Sequence, residues 1–430
     1  MSKARTWIVV VLSALMLTAS AQTAQIDWRQ SEGSTLVVGG IKHAYTAALE
    51  KLIPQFEELT GIDVHLEVYS QDEFMNKRLI DLSSGSGIFD IVMLDQAIVQ
   101  YARAGWVDAL EPYFEDPTLV DASAYGMDDY LPAMIGEGRV DGNLYGLPVT
   151  AAVQMLFYRK DVLADAGIAV PTTFDELYAA AVELNQPGRM AGILLRGQKI
   201  HSAWSSVGFV WSYGGRIMND PVAPTAATFD SPEAAAGIAM YAKLLRDAGP
   251  LGAGNYTWYE ALADFQQGKA AMYIDNAPFM GQIEDPKAST VAGKVGYAPM
   301  PAGPAGEYAN SLAWMLSMSS SSKNKDAATL FLAWATGAQM ALEIGQAAGT
   351  SARESFYASD WVGEHYPADW AETFVLSTKR ANPESGFPRI VEIDEWLDIY
   401  GGAVNATILG TGTAQKNLSD AAVAMNRVFR

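Results

Sequence analysis

The sequence predicts an α/β protein built on mainly parallel sheets flanked by helices, and two observations carry this prediction. From residue 35 onward, short apolar strand patterns alternate with helix patterns, an order typical of parallel sheets covered by helices. In addition, 50% of the 430 residues are hydrophobic and only 18% are charged, which supplies enough apolar side chain for large cores. A chain of this length is expected to form two or three domains, or two lobes.

The alternation is clearest in the first hundred residues. We predict a strand at 35–40, a helix at 45–60, a strand at 64–68, a helix at 72–82, a strand at 88–94 and a helix ending at 104. Ligands of parallel sheets bind beyond the carboxyl ends of the strands. Residues 40–45, 69–71 and 95–96 follow the three strands and are therefore expected to lie at one rim.

The middle of the chain repeats this alternation, and the last hundred residues are mostly helical in pattern. The predicted elements are an extended segment at 147–158, helices at 160–166 and 174–184, a strand at 193–195, helices at 231–248 and 258–267, a strand at 270–274, an extended segment at 295–301, a strand at 312–317 and helices from 324 onward.

Composition excludes several classes of protein. The chain has no cysteine, so it has no disulfide, no cysteine-ligated metal and no thiol nucleophile. Its four histidines are not clustered, so we expect neither a histidine-built metal site nor a cofactor. The 29 basic and 49 acidic side chains give a net charge of −20, which repels phosphate backbones and disfavours nucleic-acid binding.

The first residues read as a secretory signal peptide. Lys3 and Arg5 precede an apolar run at 6–18, and small residues up to Ala21 offer a cleavage site. The alternative is a membrane anchor, but the run is shorter than the roughly 20 residues that a spanning helix needs. Gln22 stands where a bacterial lipoprotein carries its cysteine, so we expect an exported, unanchored protein, periplasmic in a bacterium with two membranes.

Four segments resemble, in order, one known family: the extracellular solute-binding proteins of ABC importers, in the group that captures carbohydrates. They are FEELTGIDVHLE at 56–67, SGSGIFDIVMLDQAIVQYARAGWVDALEPY at 84–113, GNLYGLPVTAAVQMLFYRKDVLADAGIAVPTTFDEL at 142–177 and ALADFQQGKAAMYID at 261–275, with weaker likeness at 322–336 and 349–357. Each segment alone is modest, whereas their ordered combination spans most of the chain.

The resemblance implies the two-lobed periplasmic-binding-protein fold of type II, with a cleft between the lobes. By position, lobe one is expected at 35–148 and 307–336, and lobe two at 149–302 and 337–430. The family implies a monomer without catalysis that captures a sugar, sugar alcohol or sugar derivative. The lobes close on the ligand, and the protein delivers it to the permease subunits in the membrane.

Polar residues at strand ends are the first candidates for binding a sugar, because planar polar groups bridge neighbouring hydroxyls. Asp95 follows the strand at 88–94, although it could equally cap the next helix. Gln71 and His43 share this rim, and His43 could also be a plain loop residue. Asp275 and Asn276 follow the strand at 270–274 in the same way.

Aromatic residues are the second kind of candidate, since sugar C–H faces lie well on rings. Trp258, Trp314 and Trp211 are the candidates, with core packing as the alternative for each. By the resemblance, Asn310 and Ser311 replace a glycine-rich stretch near the ligand. Arg353 stands in GTSAR, where many family members carry a basic residue near the ligand; the alternative is a surface or helix-capping arginine.

Two other functions remain open at this stage. The sequence has no GxSxG, HExxH, GxxxxGK[ST] or EF-hand motif. Its many carboxylates still allow a secreted carbohydrate-active hydrolase with an acid and base pair. A binding protein for peptides, polyamines or other small non-carbohydrate solutes is the third possibility.

Overall fold

The computed structural model describes residues 26–221, 224–381 and 388–429. The predicted signal peptide at 1–21 lies outside these residues. In the described part of the chain, the strands are β1 (Thr35–Ile41), β2 (Asp63–Tyr69), β3 (Ile91–Leu94), β4 (Arg139–Val140), β5 (Asn143–Leu144), β6 (Leu147–Pro148), β7 (Ala152–Arg159), β8 (Ala191–Leu194), β9 (Ala270–Asn276), β10 (Val295–Pro299), β11 (Ser311–Leu312) and β12 (Met315–Met318).

Helices pack against both sheets. They are α1 (Ala44–Thr60), α2 (Gln71–Ser84), α3 (Ile98–Arg103), α4 (Glu111–Phe114), α5 (Ala122–Tyr125), α6 (Pro132–Glu137), α7 (Lys160–Ala166), α8 (Phe174–Leu184), α9 (Lys199–Ser205), α10 (Val207–Ser212), α11 (Pro232–Ala248), α12 (Trp258–Gln266), α13 (Met280–Ile283), α14 (Lys325–Thr336), α15 (Ala338–Ala348), α16 (Glu354–Tyr357), α17 (Asp360–His365), α18 (Ala368–Arg380), α19 (Ile393–Ile408) and α20 (Ala414–Val428). Short 3-10 turns lie at Met127–Asp129, Ala253–Asn255 and Ala277–Phe279.

Two sheets form the centres of two lobes, which confirms the predicted α/β two-lobed fold. Sheet one has the order β2-β1-β3-β12-β6, and sheet two has the order β10-β7-β9-β8 with β11 beside β7. We call sheet one with its helices lobe one, and sheet two with its helices lobe two. Both sheets are mixed rather than mainly parallel. Strands β1, β2 and β3 are parallel as predicted, whereas β12 and β6 are antiparallel additions, and in lobe two only β8 and β9 are parallel.

Helix α1 shows how local sequence positions one side of the cleft. Its buried face includes Leu49, Ile53 and Phe56, at the helical spacing that the sequence suggested. His43 caps the amino end with its ring nitrogen, and Gly61 ends the helix at a φ of 69°. Because that conformation is left-handed, glycine is the residue that adopts it without strain. The cap fixes the chain between β1 and α1, where the cleft begins.

The chain passes between the sheets at two neighbouring segments. Residues 149–151 connect β6 to β7, and Ala313 with Trp314 connects β11 to β12. The second passage follows β11 because β11 still pairs with β7 of lobe two. Helix α15 packs on α1 of lobe one, although it lies in the segment assigned to lobe two. The remaining lobe boundaries stay predictions.

Among the described residues, no single helix is both long enough and apolar enough to span a membrane. Helices α14 and α15 pass that test only as a pair, with a bend of 59° between them. All residues of α14 from Ala327 to Thr336 are buried in the protein.

Candidate ligand-binding cleft

A cavity lies between the carboxyl ends of the lobe-one strands and the facing surface of lobe two. Its empty volume is about 550 Å³, counted with the open space at its mouth. We call this cavity the cleft. It is lined by Ile41, His43, Gln71, Met75 and Asp95 from lobe one, by Arg196, Ile200, His201, Trp204, Trp258, Asn276, Phe279 and Leu397 from lobe two, and by Leu312 and Trp314 at the passage between them.

The structure brings together six of the residues that sequence reasoning selected as binding candidates. They are His43, Gln71, Asp95, Trp258, Asn276 and Trp314. The others lie near the cleft or elsewhere and do not line it: Asp275, Asn310, Ser311, Arg353 and Trp211. Four of the six lie at the ends of strands: His43, Gln71 and Asp95 follow β1, β2 and β3, and Asn276 ends β9. Trp258 begins helix α12, and Trp314 lies in the passage between β11 and β12.

Asp95 lines the cleft directly after β3 and has two structural partners. Its Oδ1 accepts a hydrogen bond from Arg78 Nη2 at 3.0 Å and one from the backbone N–H of Ala97 at 3.2 Å. Burial alone would lower the pKa of Arg78, but Asp95 and Tyr101 together outweigh that effect and raise the pKa. Both contacts use Oδ1, so Oδ2 makes no hydrogen bond to a described residue. Asp95 therefore caps the following turn and still presents one oxygen for a ligand.

His43 presents an uncharged imidazole to the cleft. Its Nδ1 accepts the backbone N–H of Tyr45 at 3.1 Å, which puts the ring proton on Nε2. Burial lowers the pKa of His43 to about 4, so the ring stays neutral near pH 7. A neutral Nε2–H is a hydrogen-bond donor suited to a hydroxyl oxygen.

Trp258 forms much of the lobe-two wall with its ring. It stacks on Phe279 with centroids 5.4 Å apart and meets the edge of His43 at 6.4 Å. Its indole N–H donates to Oε1 of Gln71 at 3.0 Å. This bond leaves the amide nitrogen of Gln71 as a donor for a ligand.

Two further contacts join the lobes at the same edge. The hydroxyl of Tyr259 donates to the carbonyl oxygen of Lys42 at 3.2 Å. Asp72 Oδ1 lies 3.5 Å from His201 Nε2, and this hydrogen bond lowers the pKa of Asp72 despite its partial burial. With the Trp258–Gln71 bond, these contacts join the two lobes across one edge of the cleft.

Arg196 follows β8 and lines the cleft, although sequence reasoning did not select it. Its guanidinium binds Asp275 through Nε and Nη2, with Nε 2.8 Å from Oδ2. Its Cζ also lies 4.6 Å from the centre of the Trp204 ring. Burial alone would lower the pKa of Arg196, but Asp275, with Tyr273 and Tyr241, outweighs that effect and raises the pKa. Asp275 therefore acts behind the wall, as the partner that holds Arg196 in place.

Three buried polar atoms without a partner lie on side chains that line this cavity. Asn276 Oδ1, Trp204 Nε1 and His201 Nδ1 make no hydrogen bond to any described residue. The three side chains all line the cleft. An unsatisfied buried polar group costs free energy, so these atoms are placed to bind something that enters.

Arg353 lies in a different place and has other partners. Its side chain is 1% exposed and lies between the rings of Tyr125 and Tyr130, with Cζ at 4.8 and 4.2 Å from their centres. It donates to the carbonyl oxygens of Thr336 at 2.9 Å and Gly126 at 2.7 Å. These contacts tie the segment after α15 to lobe one rather than reaching the cleft.

The remaining candidates support the walls from behind. Asn310 Nδ2 donates to the carbonyl oxygen of Trp204 at 2.8 Å, and Ser311 pairs with β7 as part of β11. Trp211 is buried on α10, and Arg216 lies 5.6 Å from its ring centre. Trp204, on the preceding helix α9, lines the cleft instead.

Several cleft residues were not selected from sequence, and for one of them a signal existed. Arg196 comes one residue after the strand pattern at 193–195, so the strand-end rule could have found it. His201 and Phe279 lie on helical turns whose buried faces the sequence does not distinguish from core. Leu397 arrives from α19, far along the chain, through tertiary packing alone.

Comparisons with known proteins agree with this architecture. Residues 41–341 match the family model described as bacterial extracellular solute-binding protein. An erythritol/L-threitol-binding protein of Mycolicibacterium smegmatis is 28% identical, over 93% of this chain and 90% of that protein. A mannitol-binding protein of Pseudomonas aeruginosa is 28% identical, over 81% of this chain and 80% of that protein.

Solved structures include similar folds with small polyols bound. An ABC transporter solute-binding protein of Agrobacterium radiobacter K84 in complex with ribitol superposes with a TM-score of 0.85 at 28% identity. The match covers 92% of this chain and 99% of that one.

Proposed function

Because the chain belongs to the bacterial extracellular solute-binding proteins, we propose that it captures a sugar alcohol in the cleft and delivers it to an ABC importer. The ligand class follows from two kinds of support. Relatives along most of the chain are named for erythritol, threitol and mannitol, and the similar solved structure holds ribitol. The chemistry of the cleft supports the same class independently.

The observation that carries this proposal is the set of unpartnered polar atoms in one cavity. A hydroxyl group both donates and accepts, so a chain of hydroxyls satisfies donors and acceptors in turn. The cleft offers the acceptors Asn276 Oδ1 and Asp95 Oδ2 together with the donor Trp204 Nε1. Apolar surface from Trp258 and Trp314 covers the C–H side of such a ligand.

The cleft argues against the hydrolase alternative. Glycoside hydrolysis usually needs two carboxyl groups that flank the scissile bond. Among the described residues that line the cleft, Asp95 is the only carboxylic acid, and Arg78 binds one of its oxygens. We therefore propose a binding protein that releases its ligand unchanged.

Closure of the lobes is the step that couples binding to transport. A ligand that contacts His43 and Asp95 on one side and Asn276 on the other gains those contacts together only when the cleft is closed. It therefore shifts the population toward the closed form by its differential contacts. The closed form is what the permease subunits would recognise. We further propose an exported monomer that is cleaved after Ala21 and carries no lipid anchor.

A ligand panel tests this function directly. Calorimetry and thermal shift would compare erythritol, ribitol and D-mannitol with D-glucose, maltose, amino acids and polyamines. We expect one or more of the sugar alcohols to bind most tightly and to be recovered unchanged after incubation. Stabilisation by amino acids or polyamines alone, or turnover of a glycoside, would contradict the proposal.

A further inference from the structure

We infer that two arginine–aspartate pairs, Arg78–Asp95 and Arg196–Asp275, restrict the cleft to uncharged polyols and exclude the matching carboxylates and amines. The inference rests on the proposed function and adds a selectivity that hydroxyl matching alone does not provide. An aldonate or an amino-polyol keeps nearly all the hydroxyls of its parent polyol. The polyol, its aldonate and its amino derivative therefore differ mainly in charge, and a protein can distinguish them by how its cleft responds to that charge.

The pair in lobe two turns its cation toward the cleft. Arg196 lines the cavity, while Asp275 is fully buried behind it. The two oxygens of Asp275 are occupied, since they also accept from the Tyr273 hydroxyl and the Asn276 backbone N–H, each at 2.8 Å. The carboxylate is thus held in place and cancels the charge of the guanidinium.

The pair in lobe one has the opposite orientation. Here Asp95 lines the cavity and Arg78, 1% exposed, lies behind it. The Nη1 of Arg78 donates to the carbonyl oxygen of Met93 at 3.0 Å, which anchors the guanidinium to β3. The two walls therefore present a carboxylate and a guanidinium that are each neutralised from behind.

Among the described residues that line the cleft, the other titratable groups are two histidines. His43 is neutral because burial lowers its pKa to about 4. His201 faces Asp72 at the rim. Asp394 on α19 lies close to the Arg78–Asp95 pair; its pKa is raised by burial, and Asp95 adds to this effect.

A charged ligand consequently gains little and loses its hydration. A carboxylate that enters the closed cleft meets guanidinium groups that already bind carboxylates. An amine meets carboxylates that already bind guanidinium groups. We expect D-ribonate to bind at least about 100-fold more weakly than ribitol, because an unpaired buried charge is far more costly than a neutral group. The same difference is expected for D-gluconate and D-glucamine against D-glucitol.

Calorimetry near neutral pH with these matched compounds tests the inference. Charged analogues that bind within about tenfold of their polyols would overturn it and leave the proposed function intact. Binding of ribonate or gluconate without binding of any neutral polyol would overturn both. Absence of binding to every neutral polyol would overturn the proposed function, and the selectivity with it.

Variants provide a second arm. Asp275→Asn frees Arg196, and Asp95→Ala frees Arg78, so each should lower the ratio of the ribonate to the ribitol dissociation constant by at least about tenfold. Asp161→Asn is the matched control, because Asp161 binds Arg159 through two bonds outside the cleft and should leave the ratio unchanged.

Circular dichroism would first establish that each variant folds, since Asp275 is fully buried. Asp95 lies at the cavity wall and gives an independent variant if Asp275→Asn unfolds. An unchanged ratio in folded Asp95→Ala, or in folded Asp275→Asn, would overturn the role of that pair.

Discussion

Trp258 in lobe two donates its indole N–H to Oε1 of Gln71 in lobe one at 3.0 Å, so one hydrogen bond joins the two walls of the cleft. Both side chains also line the cavity. Opening the lobes must break this bond, whereas closing them forms it. The pair therefore belongs to the closed state and contributes to how tightly a ligand is held.

The first prediction concerns this bond. Gln71→Ala leaves the Trp258 N–H without its partner and should weaken polyol binding by about 1 kcal/mol, or roughly five- to tenfold. Titration calorimetry with the best sugar alcohol measures the change. Gln339→Ala is the control, because Gln339 is exposed, lies outside the cleft and donates its amide N–H to Glu343. Equal affinities for Gln71→Ala and wild type would remove the bond from the binding energy.

The second prediction separates stability from affinity at Asn276. Its buried Oδ1 has no partner among the described residues. Asn276→Ala should therefore change the unfolding free energy of the empty protein little. The same substitution should weaken ligand binding by about 1–3 kcal/mol. Thermal melts without ligand and calorimetry with ligand give the two values. The half-buried Asn185, which lies outside the cleft and binds the Asp247 carbonyl, supplies the control Asn185→Ala. Unchanged affinity would place Asn276 outside the ligand contacts.

The third prediction assigns Arg353 to the framework. Arg353→Ala removes two hydrogen bonds to buried carbonyls and the contacts with Tyr125 and Tyr130, which should cost about 3 kcal/mol of stability or more. Arg353→Lys should not restore it, because lysine lacks the planar fork. Denaturant unfolding measures this loss. Ligand affinity of the folded variant should stay within a few-fold of wild type, and a far larger drop would indicate direct ligand contact instead.

The fourth prediction follows from Glu137, whose carboxylate accepts the backbone N–H of Ala313 at 2.9 Å. Burial raises the pKa of Glu137 from 4.5 to about 7, although that hydrogen bond acts in the opposite direction. Between these pH values the folded protein holds a proton that the unfolded chain has lost, so this group lowers stability as pH rises through the window. Above about pH 7 its contribution is constant.

Glu137→Gln cannot titrate and should remove that part of the decline, while its amide oxygen still accepts from Ala313. Melting temperatures measured from pH 4.5 to 8 would show it as a flatter profile than that of wild type. Glu50→Gln on the exposed face of α1 is the control and should follow wild type. If the Glu137→Gln profile runs parallel to wild type, the raised pKa is wrong.

The sequence predicted more of the fold than of the candidate site. Alternating strand and helix patterns located β1, β2 and β3 and predicted that they are parallel, and the strand-end rule led to His43, Gln71 and Asp95. Helix ends were also readable where glycine takes a left-handed conformation, as at Gly61. The antiparallel strands could not be predicted, because their direction depends on how segments that are distant in the sequence pair in the sheet.

The rest of the site depended on choices that a single sequence does not settle. Neighbouring residues of a strand face opposite sides, so the pattern nominated Asp275 and Asn276 equally, yet only Asn276 lines the cleft. Arg353 carries a side chain suited to a ligand, but its carbonyl and tyrosine partners come from elsewhere in the chain. Leu397 reaches the cleft through the packing of α19, which no local pattern encodes.

The two passages between the lobes lie side by side and are bonded to each other. The backbone N–H of Val149 donates to the carbonyl oxygen of Trp314 at 2.8 Å, and the N–H of Trp314 donates to Thr150 Oγ1 at 3.0 Å. A pair of cross-linked straps flexes readily out of its own plane but resists shear and torsion within it. We therefore expect the lobes to open mainly by a hinge motion at these two passages. Each opening should therefore bring the same surfaces back into register, with little conformational search before the next ligand.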